Sequence, residues 1–161
     1  MGERGRIVVI GVGNRYRSDD AAGPCVLDLL SPSVPRHVSL IETEGDCVSL
    51  LDSWTRDDEV VVVDAMVSGK EPGTLEIFRD DLAGHRQPPR ASSHHLGLVE
   101  TLALARTLQR EPGSVVLIGI EAATVQPGTE ISPEVAVGVE RAARMVACMW
   151  AHPSCRGASD A

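Results

Sequence analysis

Two short runs restrict the fold of this chain more than any other feature. Ile7-Val8-Val9-Ile10 and Val60-Val61-Val62-Val63 are β-branched throughout, with no polar residue at alternate positions. β-Branched side chains favour extended backbone. A strand with one wet face alternates apolar and polar residues, whereas a strand covered on both faces does not. Both runs are therefore read as inner strands, and such strands belong to sheets layered with helices on both sides.

The flanking segments supply those helices. Ala21 to Leu30 reads as a helix, with Pro24 tolerated in its first turn and Ser31-Pro32 ending it. His37 to Ile41 reads as a strand and Asp46 to Trp54 as a short helix. Glu59 to Asp64 is a strand, and Gly73 to Phe78 a strand at a sheet edge. Residues 79–93, with two Pro and little periodicity, read as a loop. His94 to Arg110 is a predicted helix and Ser114 to Glu121 a buried strand. A last helix starts with Ser132 as cap and Pro133 at the first helical position, and runs to about Ala151. The expected fold is α/β: a single twisted, mostly parallel β-sheet of about five strands sandwiched between helices, with right-handed crossovers. The 161 residues suit one domain over 1–151, with 152–161 as a flexible C-terminal tail.

Charge and composition remove several function classes. The net charge is −8, Lys70 is the one lysine, and the aromatics are Tyr16, Trp54, Phe78 and Trp150 alone. That offers neither a phosphate-binding face nor stacking platforms, so no nucleic-acid partner is expected. No apolar run nears the ~18 residues of a membrane span, so no membrane partner is expected. Ile7 to Val12 is too short for a signal-peptide core. Cys25, Cys47, Cys148 and Cys155 form no CxxC pair and read as reduced thiols, which suits a cytoplasmic setting.

In open α/β sheets, ligands bind beyond the carboxyl ends of the strands. Polar residues gather there in this chain: Gly13, Asn14, Ser18, Asp19 and Asp20 after the first strand, Glu42 to Gly45 after the second. Asp64 closes the third, Ser92 to His95 open the long helix, and Glu121 closes the last strong strand. A dinucleotide site is one reading of Gly11-Val12-Gly13, with Glu42 or Glu44 as the ribose acid. Its third glycine is replaced by Tyr16, and Asp19 and Asp20 would repel a pyrophosphate. Ser92 or Ser93 beside a histidine lacks the G-x-S-x-G setting of a nucleophile. Asp20, Asp64 and His94 form a better set. Two oxygens and one imidazole nitrogen suit zinc or nickel and leave a position open. Each also has a plainer role: Asp20 as a helix cap, Asp64 in an Asx turn, His94 or His95 as an ordinary helix-start residue. Asn14 could bond only its own loop, and Cys25 sits on an apolar helix face as packing.

Four ordered blocks carry a resemblance. They are Ile10-Gly11-Val12-Gly13-Asn14 with Asp19-Asp20 and Gly23; Val61-Val62-Val63-Asp64-Ala65; Ser92-Ser93-His94 with Leu96-Gly97-Leu98; and Ile118-Gly119-Ile120-Glu121 with Gly128 and Ile131-Ser132-Pro133. The set resembles the hydrogenase maturation proteases. The resemblance implies a cytoplasmic endopeptidase that removes a C-terminal extension from the nickel-loaded large subunit of a nickel-iron hydrogenase. It implies Asp20, Asp64 and His94 as the catalytic, metal-contacting residues, and nickel supplied by that precursor, with zinc or cadmium able to occupy the site in vitro. His94 is favoured over His95 because Leu96-Gly97-Leu98 then keeps the family spacing. The chain departs from many members at Ala21, where they have Gly. It also has Glu42-Thr43-Glu44-Gly45 where some relatives place Asp-Gly-Gly. Asp19 is expected to be structural, and the N–H groups of the Gly11–Asn14 loop are candidate oxyanion donors. Gly97, early in its helix, is expected to permit close packing against the sheet. Two other readings stand beside this one: a nickel-binding or sensing module without hydrolysis, and a dinucleotide-binding domain.

Overall fold

A computed structural model describes residues 5–79 and 93–152, with backbone only for 93–96. In chain order the elements are β1 (Ile7–Val12), a 3-10 turn (Ser18–Ala21), α1 (Ala22–Leu30), β2 (Val38–Thr43), α2 (Cys47–Leu51) and β3 (Glu59–Met66). They continue with β4 (Leu75–Arg79), α3 (Ser93–Thr107), β5 (Ser114–Glu121) and α4 (Pro133–Ala151). The sheet order is β2-β1-β3-β5-β4. β2, β1, β3 and β5 run parallel, and β4 pairs antiparallel with β5 at the edge. This is the mostly parallel α/β sheet read from the sequence.

The unbroken apolar runs send alternate side chains into two cores, one on each face of the sheet. Val9, Val61 and Val63 face α1 and α4, with Val26, Leu27, Val139 and Val146. Val8, Ile10, Val60 and Val62 face α2 and α3, with Leu50, Trp54, Leu98 and Ala105. Every residue of β1 is buried. Alternation therefore has no polar face to mark in these strands.

Several boundaries differ from the sequence reading. β3 and β5 stay paired through Asp64↔Gly119 and on to Met66↔Glu121. Asp64 thus lies inside a strand rather than in an Asx turn. α1 begins one residue late because the 3-10 turn precedes it. β2 runs on to Thr43, in register with Val12. α2 ends at Leu51: the Ser53 hydroxyl donates back to the Ser49 carbonyl, and the buried Trp54 donates its indole N–H to Arg110 O at 3.0 Å. α3 stops at Thr107 through a Schellman closure. Gln109 takes φ 55°, Arg110 N–H donates to Ala105 O and Gln109 N–H to Arg106 O. A glutamine in that left-handed position leaves no glycine stop signal to read. The loop expected over 79–93 and the tail of 152–161 lie outside the described residues, apart from Arg79, Ser93 and His152.

The order of strands fixes where a site can form. From β1 the chain steps to β2 on one side and then to β3 on the other, so the order reverses between β1 and β3. That reversal leaves a crevice at the carboxyl ends of the two strands.

Candidate active site

α1 is drawn tightly onto this crevice. A Cβ on Gly23 would lie 2.5 Å from both Val12 O and Val63 O, so only a glycine lets the helix start against both strand ends. The 3-10 turn just before it packs against β3. That turn carries Asp20, 2 % exposed, and β3 carries Asp64, 3 % exposed. Both carboxylates are thus buried at the same end of the sheet. Asp20 does not cap α1; its Oδ2 accepts the Asn14 N–H at 3.1 Å. Gly13 makes this bond possible. Its φ is +150°, and a Cβ there would overlap Asp20 O.

α3 reaches the same end from the other layer. Gly97 approaches the loop after β2 so closely that a Cβ would lie 2.7 Å from Gly45 O. The close packing expected of Gly97 is real, but its partner is this loop rather than the sheet. The other end of α3 lies near Trp54 and feeds β5 at the amino edge. The first turn of α3 is therefore carried to the carboxyl end, and His94 and His95 are in that turn. Their side chains, like all of Ser92, lie outside the described residues. Among the described residues, no three His, Cys, Asp or Glu side chains are grouped closely enough to hold a metal ion.

The neighbouring acid, Asp19, has a different task. It is fully buried and accepts four hydrogen bonds: from Ala123 N–H at 2.9 Å, Thr124 N–H at 3.0 Å, Ser132 N–H at 2.7 Å and Ser132 Oγ at 2.9 Å. Asp19 is structural, as expected. It ties the turn bearing Asp20 to the loop between β5 and α4. Ser132 holds the N-cap position of α4, but its hydroxyl donates to Asp19 instead of capping the helix. Ser18 adds to the same clamp. It adopts φ 52°, a conformation that strains a non-glycine residue. Its N–H donates to Gly128 O and its hydroxyl to Gln126 O. A Cβ on Gly128 would stand 2.8 Å from that hydroxyl, which accounts for glycine there.

Arg15 was not singled out by the sequence reading. Its guanidinium makes two bonds to Glu42, at 2.7 and 2.8 Å, and two to Asp28, at 2.8 and 2.9 Å. These bonds hold the guanidinium protonated far above its ordinary range and keep the Asp28 carboxyl below the usual carboxylate range. The hub joins the loop after β1 to the end of β2 and to α1. The only signal for it was an arginine next to the glycine loop facing an excess of acids. Glu121 is likewise a scaffold: its carboxylate accepts Ser68 N–H, Ser68 Oγ and Gly69 N–H, and so shapes the loop after β3.

Residues 13–16 and 42–44 line an open cleft of about 380 Å³ between the loop after β1 and the end of β2; the loop meets the site through the Asn14 N–H, which bonds Asp20. Its contents argue against a dinucleotide. Glu42, one of the two acids considered for a ribose beside Glu44, is bound by Arg15, and the Asn14 N–H that would meet a phosphate is bound by Asp20. The same bonds overturn the oxyanion role expected of the loop, since Gly13 N–H donates to Thr43 O. Asn14 Oδ1 does accept from its own loop, at Tyr16 N–H. Cys25 packs on the core formed by α1, and burial pushes its thiol up, away from a reactive thiolate.

Comparison with known proteins gives this arrangement relatives. The family model for hydrogenase maturation protease matches residues 30–148. The hydrogenase 2 maturation protease of Escherichia coli K12 is 30% identical over 144 residues, covering 88% of each chain. The hydrogenase expression/formation protein HupM of Azotobacter chroococcum is 29% identical over 78% of this chain, which spans 61% of that longer protein. The solved structure of the hydrogenase maturating endopeptidase HybD from E. coli superposes with a TM-score of 0.78 at 27% identity, covering 91% of this chain and 93% of that one. A family match across most of the sequence and a relative spanning nearly all of it give one conclusion: the chain belongs to the hydrogenase maturation protease family.

Proposed function

We propose that this chain is the endopeptidase that removes a C-terminal extension from the nickel-loaded precursor of a nickel-iron hydrogenase large subunit. The observation that carries the site is the burial of Asp20 and Asp64 at the β1/β3 crevice, with the start of α3 brought to the same end. In this reading the nickel arrives as part of the substrate. Asp20, Asp64 and His94 complete its coordination, a two-oxygen, one-nitrogen set that suits such an ion. A precursor without nickel forfeits those shared bonds and docks weakly. Zinc or cadmium would fit the same donors in vitro.

The chain's own residues supply the rest. Asn14 N–H orients Asp20, and the clamp around Asp19 fixes the turn that bears it. Hydrolysis needs a group that takes a proton from water. In this reading one carboxylate oxygen of Asp20 or Asp64 left free of the nickel takes that proton. The free thiols of Cys25, Cys47 and Cys148 support a cytoplasmic setting. Among the described residues no helix is long and apolar enough to cross a membrane.

The test is processing of a nickel-loaded precursor by Asp64→Ala and His94→Ala. Both are expected to fold and to leave the precursor uncut, whereas His95→Ala cuts. Full turnover by either of the first two removes the site assignment. A dead His95→Ala with an active His94→Ala moves the role to His95. Nickel-dependent binding without cleavage by the wild type would favour a nickel-binding module.

A further inference from the structure

The sheet ends at β2, and β2 has only β1 as a strand partner among the described residues. The direction of its peptide groups can be read from its neighbours. His37 O accepts Ile7 N–H at 2.9 Å, and Thr43 O accepts Gly13 N–H at 3.0 Å. Carbonyls at 37 and 43 thus face β1, and so do those at 39 and 41 in a parallel ladder. The peptide groups of Leu40 and Glu42 then face outward. Val38 N–H fits this phase, since it turns back to Pro35 O. β2 is six residues long and fully in register with β1, and it contains no proline or bulge that would blunt its edge.

This edge ends at the cleft whose loop, through the Asn14 N–H, bonds Asp20. Its carboxyl end, Glu42 and Thr43, is one wall of the cleft of about 380 Å³, and Asn14 and Tyr16 are the other. Arg15 holds the two walls together through Glu42. A strand lying along the outer edge of β2 would reach the cleft by crossing the carboxyl end of that strand. Two copies of this chain are poor partners across the edge, because each carries a charge of −8.

We infer that the outer edge of β2 is the docking strip for the cleaved segment of the precursor, which adds to the sheet as a sixth strand. The inference rests on the protease reading above. The segment leaves the cleft in its own carboxyl direction and so runs antiparallel to β2, away from the carboxyl end of the sheet. Backbone bonds to Leu40 and Glu42 supply the affinity, which makes recognition tolerant of side-chain identity. Six strand residues at ~3.4 Å each give a strip of roughly 20 Å, enough for about six residues of the extension.

The experiment is a proline scan through the extension of a nickel-loaded precursor, beyond the residue that follows the scissile bond, cut by the wild-type chain. Proline removes a backbone donor. Only alternate residues of an added strand point their N–H groups at β2. KM is expected to rise roughly fivefold to tenfold at alternate positions, with kcat within about twofold. On the protease side, Leu40→Pro removes an outward N–H and keeps the bonds to β1, so it should raise KM beyond the rise of Leu40→Ala. A flat or uniform scan overturns the edge proposal and leaves the protease reading intact. A wild-type chain that self-associates in solution and a Leu40→Pro variant that does not, with unchanged KM, also overturn it, in favour of a chain-to-chain edge. An uncut wild-type precursor refutes the protease reading and this inference with it.

Discussion

Replacing Asp19 with Asn keeps the shape of the side chain and inverts half of its hydrogen bonding. In the native protein one oxygen, Oδ2, accepts from Ala123 N–H, Thr124 N–H and Ser132 Oγ, and Oδ1 accepts from Ser132 N–H. If the Asn carbonyl takes the Oδ2 position, its NH2 faces the Ser132 N–H and that bond becomes a donor–donor contact. If the amide flips, two backbone donors are left without their acceptor. The better orientation retains three bonds, each reduced from charge-assisted to neutral strength. One buried N–H then lacks an acceptor, which costs about 1–3 kcal/mol. Relief of burying the charge offsets part of this. The net destabilisation expected is roughly 2–4 kcal/mol. For a chain of this size each kcal/mol moves Tm by about 2–4 °C. Urea unfolding of the two proteins, with m-values compared, measures it directly. Asp19→Asn within about 1 kcal/mol of wild type would refute the view that Asp19 clamps the turn bearing Asp20.

Other outcomes follow from the same geometry. Gly97→Ala gains roughly 1 kcal/mol of helix propensity but sets a Cβ 2.7 Å from Gly45 O; a net loss of stability is expected in thermal melts, and a stabilised, active variant contradicts the close approach. Asp58 is buried, which pushes its carboxyl up, but bonds from Arg6 at 3.0 Å and Thr55 N–H at 2.8 Å outweigh this and hold it below the usual carboxylate range. A lowered folded value means stability that is present above the unfolded pKa of ~3.9 and lost as pH falls through the folded one. Asp58→Asn should therefore flatten the acid limb of the stability curve below about pH 4, and an unchanged limb removes Asp58 from the account. Arg15→Ala should leave unfolding free energy nearly unchanged, because its pairs are largely exposed, yet raise KM by loosening the cleft; a KM equal to wild type denies the hub its role.

The sheet was legible because its inner strands carry no polar residue to break the pattern. Ile7–Ile10 and Val60–Val63 announce burial on both faces, and with it the parallel order. Asp20 and Asp64 were legible for a related reason: Asp64 follows such a run directly and Asp20 lies in the loop after another, where α/β sheets open a crevice. Boundaries were harder. Asp64 looks like a strand end in sequence, but pairing with Gly119 carries β3 two residues further. The stop of α3 depends on a glutamine in a left-handed conformation, and side-chain type does not reveal that. Long-range polar bonds were invisible. Nothing near Asp19 in the sequence points to Ser132, 113 residues away, and Arg15 shows its partners only when β2 and α1 are folded beside it.

The proposed trimming of a nickel-loaded hydrogenase precursor, with its metal met by Asp20, Asp64 and His94, can be followed by mass. Intact-mass analysis of a genetically matched large-subunit precursor, incubated with this chain with and without nickel in the precursor, tests it most directly. Loss of one short C-terminal peptide from the nickel-loaded form alone is the expected result. Equal trimming of both forms would contradict nickel as the recognition mark. Trimming of neither, beside an active control pair, would contradict the protease reading itself.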